Sequence, residues 1–309
     1  MREKEQQQVP DRLDVKVGFA CNNRCRFCVQ GDKRHHHPAR KAEDLVSFIT
    51  RHRQEYTALV LTGGEPCIYP ELPALVSKAR DLGYRSIQIQ SNGRMFAYRE
   101  YCESLVQAGA TEFSPALHGH AADCHDYLTR VPGSFEQTLA GIRNLKAMGQ
   151  SVITNTVITR SNFRHLKSLV ELLADLRVEQ YQLAFVHPLG SAGAGEGFEA
   201  VVPRMSLLRP HLEAALSWGE QAGLKGMCEA VPLCFLAEDH RHLAAEQIMP
   251  STRILDAEGE IEDYAHYRLT EGKLKGPPCR DCVLEQICEG PWREYPERFG
   301  WSEFKKLQK

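Results

Sequence analysis

Two hydrophobic periods take turns along the chain from about residue 14 to residue 190. Short apolar or β-branched runs at Val15–Phe19, Ala58–Leu61, Ser86–Gln90, Glu112–Leu117, Ser151–Ile158 and Gln180–Val186 predict strands. Between them, apolar residues recurring every three or four positions predict helices over Lys41–Arg53, Leu72–Leu82, Tyr98–Ala108, Ser134–Met148 and Asn162–Leu176. Strand and helix alternating at this spacing is the pattern of βαβ units, whose strands lie parallel in one sheet. Six such units are too few to close an eight-stranded barrel. The expected fold is therefore α/β, an open parallel sheet or partial (β/α)6 barrel. Such folds collect their chemistry at the carboxyl ends of the strands, and each polar motif of this chain directly follows a predicted strand.

The pattern breaks at Gly190–Gly197, GSAGAGEG, which reads as a flexible domain boundary. Beyond it come a helix over Leu207–Ala222, a loop carrying Cys228 and Cys234, a hairpin around Asp256–Gly259, and a cysteine-rich tail without a helical period. The organisation this implies is an N-terminal extension over 1–13, a partial barrel over 14–195, and a small C-terminal cysteine-rich domain over 196–309 that takes its order from a metal cofactor. About 13 residues precede the first strand, so no N-terminal peptide-recognition domain is expected.

Composition narrows the class. The 309 residues are 42% hydrophobic and 25% charged with a formal charge of −2, as in ordinary globular proteins, and nothing points to nucleic acid or a polyanion as partner. The first residues are polar and lack the apolar core of a signal peptide, and no run of eighteen apolar residues occurs. A cytoplasmic protein without a membrane partner is the expectation. Eleven cysteines in a reducing compartment suggest metal or catalysis rather than disulfides. Cys102 and Cys124 stand alone and read as small buried apolar residues, and Cys67 reads as packing behind a site.

The segment VGFACNNRCRFCVQG places Cys21, Cys25 and Cys28 at C-x3-C-x2-C spacing on the loop leaving the first strand. Three thiolates can hold three irons of a 4Fe–4S cube and leave the fourth iron free for an exogenous ligand. Zinc is the competing reading; it prefers four N or S ligands, which His35–His37 could help complete. The basic stretch KRHHHPARK, Lys33–Lys41, reads as a solvated loop or as a cover for the site that attracts an acidic substrate or reductant.

With Phe27 between the last two cysteines, this motif resembles the cluster motif of the radical S-adenosylmethionine superfamily. The second strand ends in LTGGEP, so Gly63, Gly64 and Glu65 match the GGE motif of that family, which contacts an amino group of the ligand. Glycines allow close backbone approach and a carboxylate suits an ammonium. Ser91 and Asn92, in QSNG, resemble the polar cap of the third strand. The block ALHGHAADCHDYLTRVPGSF is similar to the family's fourth-strand region, where a polar residue contacts ribose and an arginine placed like Arg130 pairs with a carboxylate. Many members carry serine two residues before the position of His118, where this chain has Ala116. Ser114 is then the substitute, or His118 itself serves the substrate side. Asn155 and Asn162 sit where members place the fifth strand and its exit, and His187 ends the sixth strand as a substrate-contact candidate. The resemblance covers roughly residues 14 to 190. It implies an oxidoreductase or isomerase-type enzyme in which an external one-electron donor, a flavodoxin or ferredoxin, reduces the cluster. S-adenosylmethionine is then cleaved to methionine and a 5′-deoxyadenosyl radical, which abstracts a substrate hydrogen.

Cys279-x2-Cys282-x5-Cys288 in the tail resembles the auxiliary-cluster region of superfamily members with SPASM or shortened twitch domains. A full SPASM core would place a cysteine at the position of Trp292, so one auxiliary 4Fe–4S cluster is implied. Its fourth ligand is Cys234, with Cys228 the second choice, unless the site stays open; zinc is again the alternative. If Cys234 is the ligand, Cys228 is free either as a buried thiol or as a hydrogen or electron donor. The implied substrate is a ribosomally made peptide undergoing epimerisation, crosslinking or oxidation. The alternatives are a small molecule, such as a nucleoside, sugar or cofactor precursor, and a non-catalytic metal-binding module.

Overall fold

The computed structural model describes residues 11–193 and 195–308. The six expected strands are present in order: β1 (Arg12–Lys16), β2 (Ala58–Thr62), β3 (Ser86–Ser91), β4 (Glu112–Pro115), β5 (Ser151–Ile158) and β6 (Gln180–Phe185). Helices α1 (Ala42–His52), α2 (Leu72–Asp81) and α3 (Arg99–Ala108) follow the first three strands. After β4 come α4 (Ala122–Thr129), which the periodicity does not announce, and α5 (Ser134–Ala147); α6 (Leu166–Asp175) follows β5. Strand β1 lies earlier in the chain than its apolar run predicts. Its ladder ends near Val17, whose N–H donates to the Thr62 carbonyl at 2.9 Å. From Gly18 onward the chain turns to meet the end of β2.

Three further strands come from the C-terminal part: β7 (Lys225–Glu229), β8 (Thr252–Asp256) and β9 (Gly259–Ile261). The sheet order is β7-β6-β5-β4-β3-β2-β1-β8-β9, and every neighbouring pair is parallel except the β8–β9 hairpin. The sheet does not close, and it runs past the expected boundary at residue 195 on both edges. The loop expected to carry Cys228 is strand β7. Its sequence, KGMCE, offers few apolar side chains, and Gly226 is there because a Cβ would lie 2.7 Å from the buried Tyr181 hydroxyl. Nor is the glycine stretch after β6 a free linker. The Ser191 N–H donates to the Cys28 carbonyl at 3.0 Å, and a Cβ on Gly190 would meet that oxygen at 2.4 Å. Ala194, within the same stretch, lies outside the described residues, as do residues 1–10 of the expected extension.

Register divides the sheet into two faces, because directly paired residues of parallel strands point the same way. Leu13, Leu59 and Ile87 form one buried row, with Ile89 opposite Phe113 on the same face. The apolar stripes of α1 (Leu45, Phe48, Ile49) and α2 (Leu72, Leu75, Val76) belong to the same core. The other face is polar: Gln88 is opposite Glu112, Gln90 opposite Ser114, and Asn155 opposite Gln182. This inner face leads to the carboxyl ends of β1 to β6. In the C-terminal part, Tyr295 accepts from the Met205 N–H at 2.8 Å, and Arg268 makes a buried two-point pair with Glu289 at 3.0 and 2.8 Å. Among the described residues no helix is long and apolar enough to cross a membrane.

Candidate active site

The cysteine loop is clamped against the end of β2 by backbone. Gly64 N–H donates to the Gly18 carbonyl and Glu65 N–H to the Ala20 carbonyl, both at 2.9 Å. A Cβ on Gly64 would lie 2.3 Å from the carbonyl oxygens of both Phe19 and Ala20. The paired glycines therefore let two segments of this chain touch, just before Cys21.

Glu65 is buried, and its carboxylate ties β2 to the end of β3. Oε1 accepts from Ser91 Oγ at 2.7 Å and from the Cys67 N–H at 2.9 Å, while Oε2 accepts from the Asn92 N–H at 2.6 Å. Burial raises its pKa and these three hydrogen bonds oppose the rise. Asn92 Nδ2 donates to Asn22 Oδ1 at 2.6 Å and lies 4.0 Å from Cys21 Sγ. Arg94 and Arg34, which sequence reasoning passed over, finish the frame. Arg94 Nη1 donates to the Asn22 carbonyl at 2.7 Å and to Asn23 Oδ1 at 3.1 Å, and Arg34 Nη1 donates to the Asn23 carbonyl at 2.9 Å. An arginine two residues past a strand-end Ser-Asn was the available signal. Cys67 sits behind this frame, its thiol 3.4 Å from Ser91 Oγ.

The three thiols are half-buried and close enough to act on one another electrostatically. Burial pushes Cys21 up to about 11, with Glu65 and Cys28 adding to the rise and Arg34 opposing it. Cys25 is raised by burial and then by its two fellow thiols. Burial thus favours the protonated thiol at Cys21 and Cys25, and metal binding is what draws such protons off. Three soft donors on one braced loop fit an iron–sulfur cluster with one iron lacking a protein ligand.

A second thiol set lies in the tail. Cys234, Cys279, Cys282 and Cys288 line a single cavity, with Pro232, Gly290, Pro291 and Phe304 among its other walls. Cys234 is pushed up to about 12 by burial first and then by Cys288, with Cys279 contributing further. Among the described residues, no three His, Cys, Asp or Glu side chains are drawn up closely enough to share one metal ion.

The remaining candidates separate. Ser114 faces the inside of the sheet beside Gln90, so the strand register is regular there. Asn155 lies on the same face, and its Oδ1 is buried without a hydrogen-bond partner. His118 is held in place by three contacts: its N–H donates to His125 Nδ1 at 3.1 Å, its carbonyl accepts from Asn162 Nδ2 at 2.8 Å, and its Nδ1 accepts from the Val157 N–H at 3.2 Å. A ring whose Nδ1 accepts carries its proton on Nε2. Burial and His125 hold its pKa well below the usual value, so the ring is neutral. Its edge meets Phe27 of the cysteine loop at 4.6 Å between centroids. His187 stacks on Trp292 at 3.7 Å and 6°, with Nε2 3.7 Å from Glu294 Oε2. The structure does not bring Cys228 or Arg130 to this group. Cys228 pairs with Leu183 on the helix-facing side of the sheet and is buried there. Arg130 is exposed and lines a groove outside the cysteine loop with Arg26 and Tyr127.

The profile of the radical SAM superfamily matches residues 15–173. An AdoMet-dependent heme synthase of Oleidesulfovibrio alaskensis is 28% identical over 179 residues, 57% of this chain and 46% of that protein. A probable GTP 3′,8-cyclase of Saccharolobus solfataricus is 27% identical over 180 residues, 58% of each chain. The chain thus spans about half the length of the curated relatives it matches. The crystal structure of Streptococcus suis SuiB bound to precursor peptide SuiA superposes over 96% of this chain and 74% of that one, with TM-score 0.66 at 14% identity.

Proposed function

The chain belongs to the radical SAM superfamily, whose enzymes use a 4Fe–4S cluster and S-adenosylmethionine, and from that premise we propose that Cys21, Cys25 and Cys28 hold this cluster and that the enzyme modifies a peptide. When bound, the cluster supplies the electron that splits S-adenosylmethionine into methionine and a 5′-deoxyadenosyl radical able to take a substrate hydrogen. The chain's own part is positional. Three thiols leave one iron free for the ligand. Glu65, Asn92, Arg94 and Arg34 hold the cysteine loop rigid, so Glu65 acts as a brace rather than as a free partner for the ligand's ammonium. His118 presents a neutral Nε2–H donor beside Phe27, and Asn155 Oδ1 is an acceptor on the inner face. With Ser114, they are the groups assigned to orient the ligand and the substrate.

The same reading gives the tail a second 4Fe–4S cluster on Cys234, Cys279, Cys282 and Cys288. The single observation that carries it is the cavity all four thiols line. Four thiolates leave no iron corner open, so substrate is not ligated there and the site's work is electron transfer. A peptide substrate is supported by the shared fold with SuiB, which extends through the tail. A small-molecule substrate is favoured by the sequence relatives, a heme synthase and a GTP cyclase, although their similarity covers only 57% and 58% of this chain. Reconstituted enzyme incubated with deuterium-labelled peptides, and separately with labelled nucleotides, distinguishes the two. Deuterium in 5′-deoxyadenosine from a peptide supports the proposal; transfer only from a nucleotide contradicts it.

A further inference from the structure

We propose that residues 188–191 form a strap through which the tail fixes Cys28, with Gly190, His187 and Trp292 as positioning residues for S-adenosylmethionine binding; this rests on the first thiol set holding a cluster. Each of the three thiols sits beside a point where the cysteine loop is fastened to another part of the chain. Before Cys21 the fastening is to the end of β2, through Gly64 and Glu65. On either side of Cys25, Arg24 N–H donates to the Thr129 carbonyl at 3.0 Å and Arg26 N–H to the Leu128 carbonyl at 2.9 Å, both in the last turn of α4. At Cys28 the fastening is the strap. The Cys28 carbonyl accepts from Ser191 N–H at 3.0 Å and from Gly31 N–H at 3.1 Å. Gly190, at φ of 57°, has no room for a side chain: a Cβ would lie 2.4 Å from the Cys28 carbonyl oxygen and 2.7 Å from that of Val29.

The other end of the strap is held by the tail. Leu189 N–H donates to the His187 carbonyl at 2.7 Å, and the ring of Pro188 between them fixes its φ, so the link from His187 to Ser191 has little slack. The His187 ring stacks on Trp292 at 3.7 Å and 6°. A parallel imidazole at that spacing fills one face of the indole, so Lys273, whose Nζ lies 3.9 Å from the ring centroid, takes the other. The backbone around Trp292 is paired on both sides: Leu274 N–H donates to the Pro291 carbonyl and Arg293 N–H to the Gly272 carbonyl, each at 3.0 Å. Gly272 leaves the indole its space, since a Cβ there would lie 3.0 Å from the ring. Ordinary core packing would account for the burial of Trp292, but not for an ammonium laid on its face. Among the described residues Lys273 Nζ has no hydrogen-bond partner, and Glu246 is 4.0 Å away. Trp292 stands where a full SPASM core would place a cysteine, four residues after Cys288. In this chain that position carries a wall for His187 in place of a ligand. Contact therefore runs unbroken from Cys288 through Trp292, His187 and Ser191 to Cys28, which gives the tail a positional role besides electron transfer. Groups that stand behind metal ligands and orient them commonly change affinity or activity by tenfold or more.

Binding of S-adenosylmethionine to the anaerobically reconstituted, dithionite-reduced enzyme tests the strap, read as the change it causes in the electron paramagnetic resonance signal of the first cluster. Trp292→Ala is expected to weaken binding about tenfold at full iron content, and Trp292→Phe, which keeps a ring against His187, to restore it. His187→Ala and His187→Phe should repeat the pattern from the barrel side, and they decide the matter if Trp292→Ala loses tail iron. Gly190→Ala should weaken binding with the stack intact. Wild-type affinity in either alanine variant at full iron content, or equal weakening in the alanine and phenylalanine variants, overturns the proposal. Failure of S-adenosylmethionine to change the wild-type signal would instead overturn the cluster reading itself.

Discussion

At the residue scale, the site depends on side chains that serve the cysteine loop more than on side chains that face a ligand. Glu65 satisfies a hydroxyl and two backbone N–H groups with one carboxylate. Glu65→Ala strands those donors in the interior, at about 1–3 kcal/mol for each left unsatisfied; urea unfolding of the variant should show a loss of at least that size, and an unchanged midpoint would remove Glu65 as the brace. His125 makes a second testable case. Burial lowers its pKa from 6.5 to about 4, so the folded chain resists a proton that the unfolded chain accepts. Its contribution to stability is complete above pH 6.5 and is lost as pH falls toward 4. His125→Gln should flatten the decline in stability between pH 7 and about 5 relative to wild type; identical slopes would contradict this placement.

At the element scale, strand ends and the loops that join them decide where chemistry is possible. The six strands and most of their helices were legible because alternating periods of two and 3.6 residues encode local geometry and one-sided burial. Helix α4 and strand β7 were not. Ala122–Thr129 buries only His125, Leu128 and Thr129, and β7 has a glycine where Tyr181 intrudes. Their places are fixed by contacts with distant residues, which periodicity does not carry. The same limit applied to the glycines of GGE. Sequence alone assigns them to ligand approach, whereas Gly64 is pressed against the carbonyls of Phe19 and Ala20. Gly64→Ala should therefore displace the cysteine loop and lower iron content by about four per chain, the content of one cube. Gly133→Ala, with nothing within 4 Å of its added Cβ, should keep full iron despite its positive φ. Equal iron in both variants would sink the clamp.

At the scale of the whole molecule, both edges of the sheet are completed by the C-terminal part, so the tail is built onto the barrel rather than appended to it. His187 at the end of β6 stacks on Trp292, four residues after Cys288, and brings the barrel mouth and the second thiol set together. The three N-terminal thiols and the tail triplet were legible from spacing. Cys234 was the first choice from the sequence over Cys228, and packing adds the separation: Cys234 lines the cavity of the tail thiols, whereas Cys228, six residues earlier, lies on the helix-facing side of β7. Cys234→Ala should lower iron content and Cys228→Ala should not; the reverse, or one zinc with about four irons, would contradict the four-thiolate auxiliary cluster. The central claim is that Cys21, Cys25 and Cys28 hold the cluster that cleaves S-adenosylmethionine. It is tested most directly by measuring 5′-deoxyadenosine from anaerobically reconstituted enzyme, S-adenosylmethionine and dithionite. Wild type should form it and Cys25→Ala should form none; cleavage retained in Cys25→Ala would contradict the account.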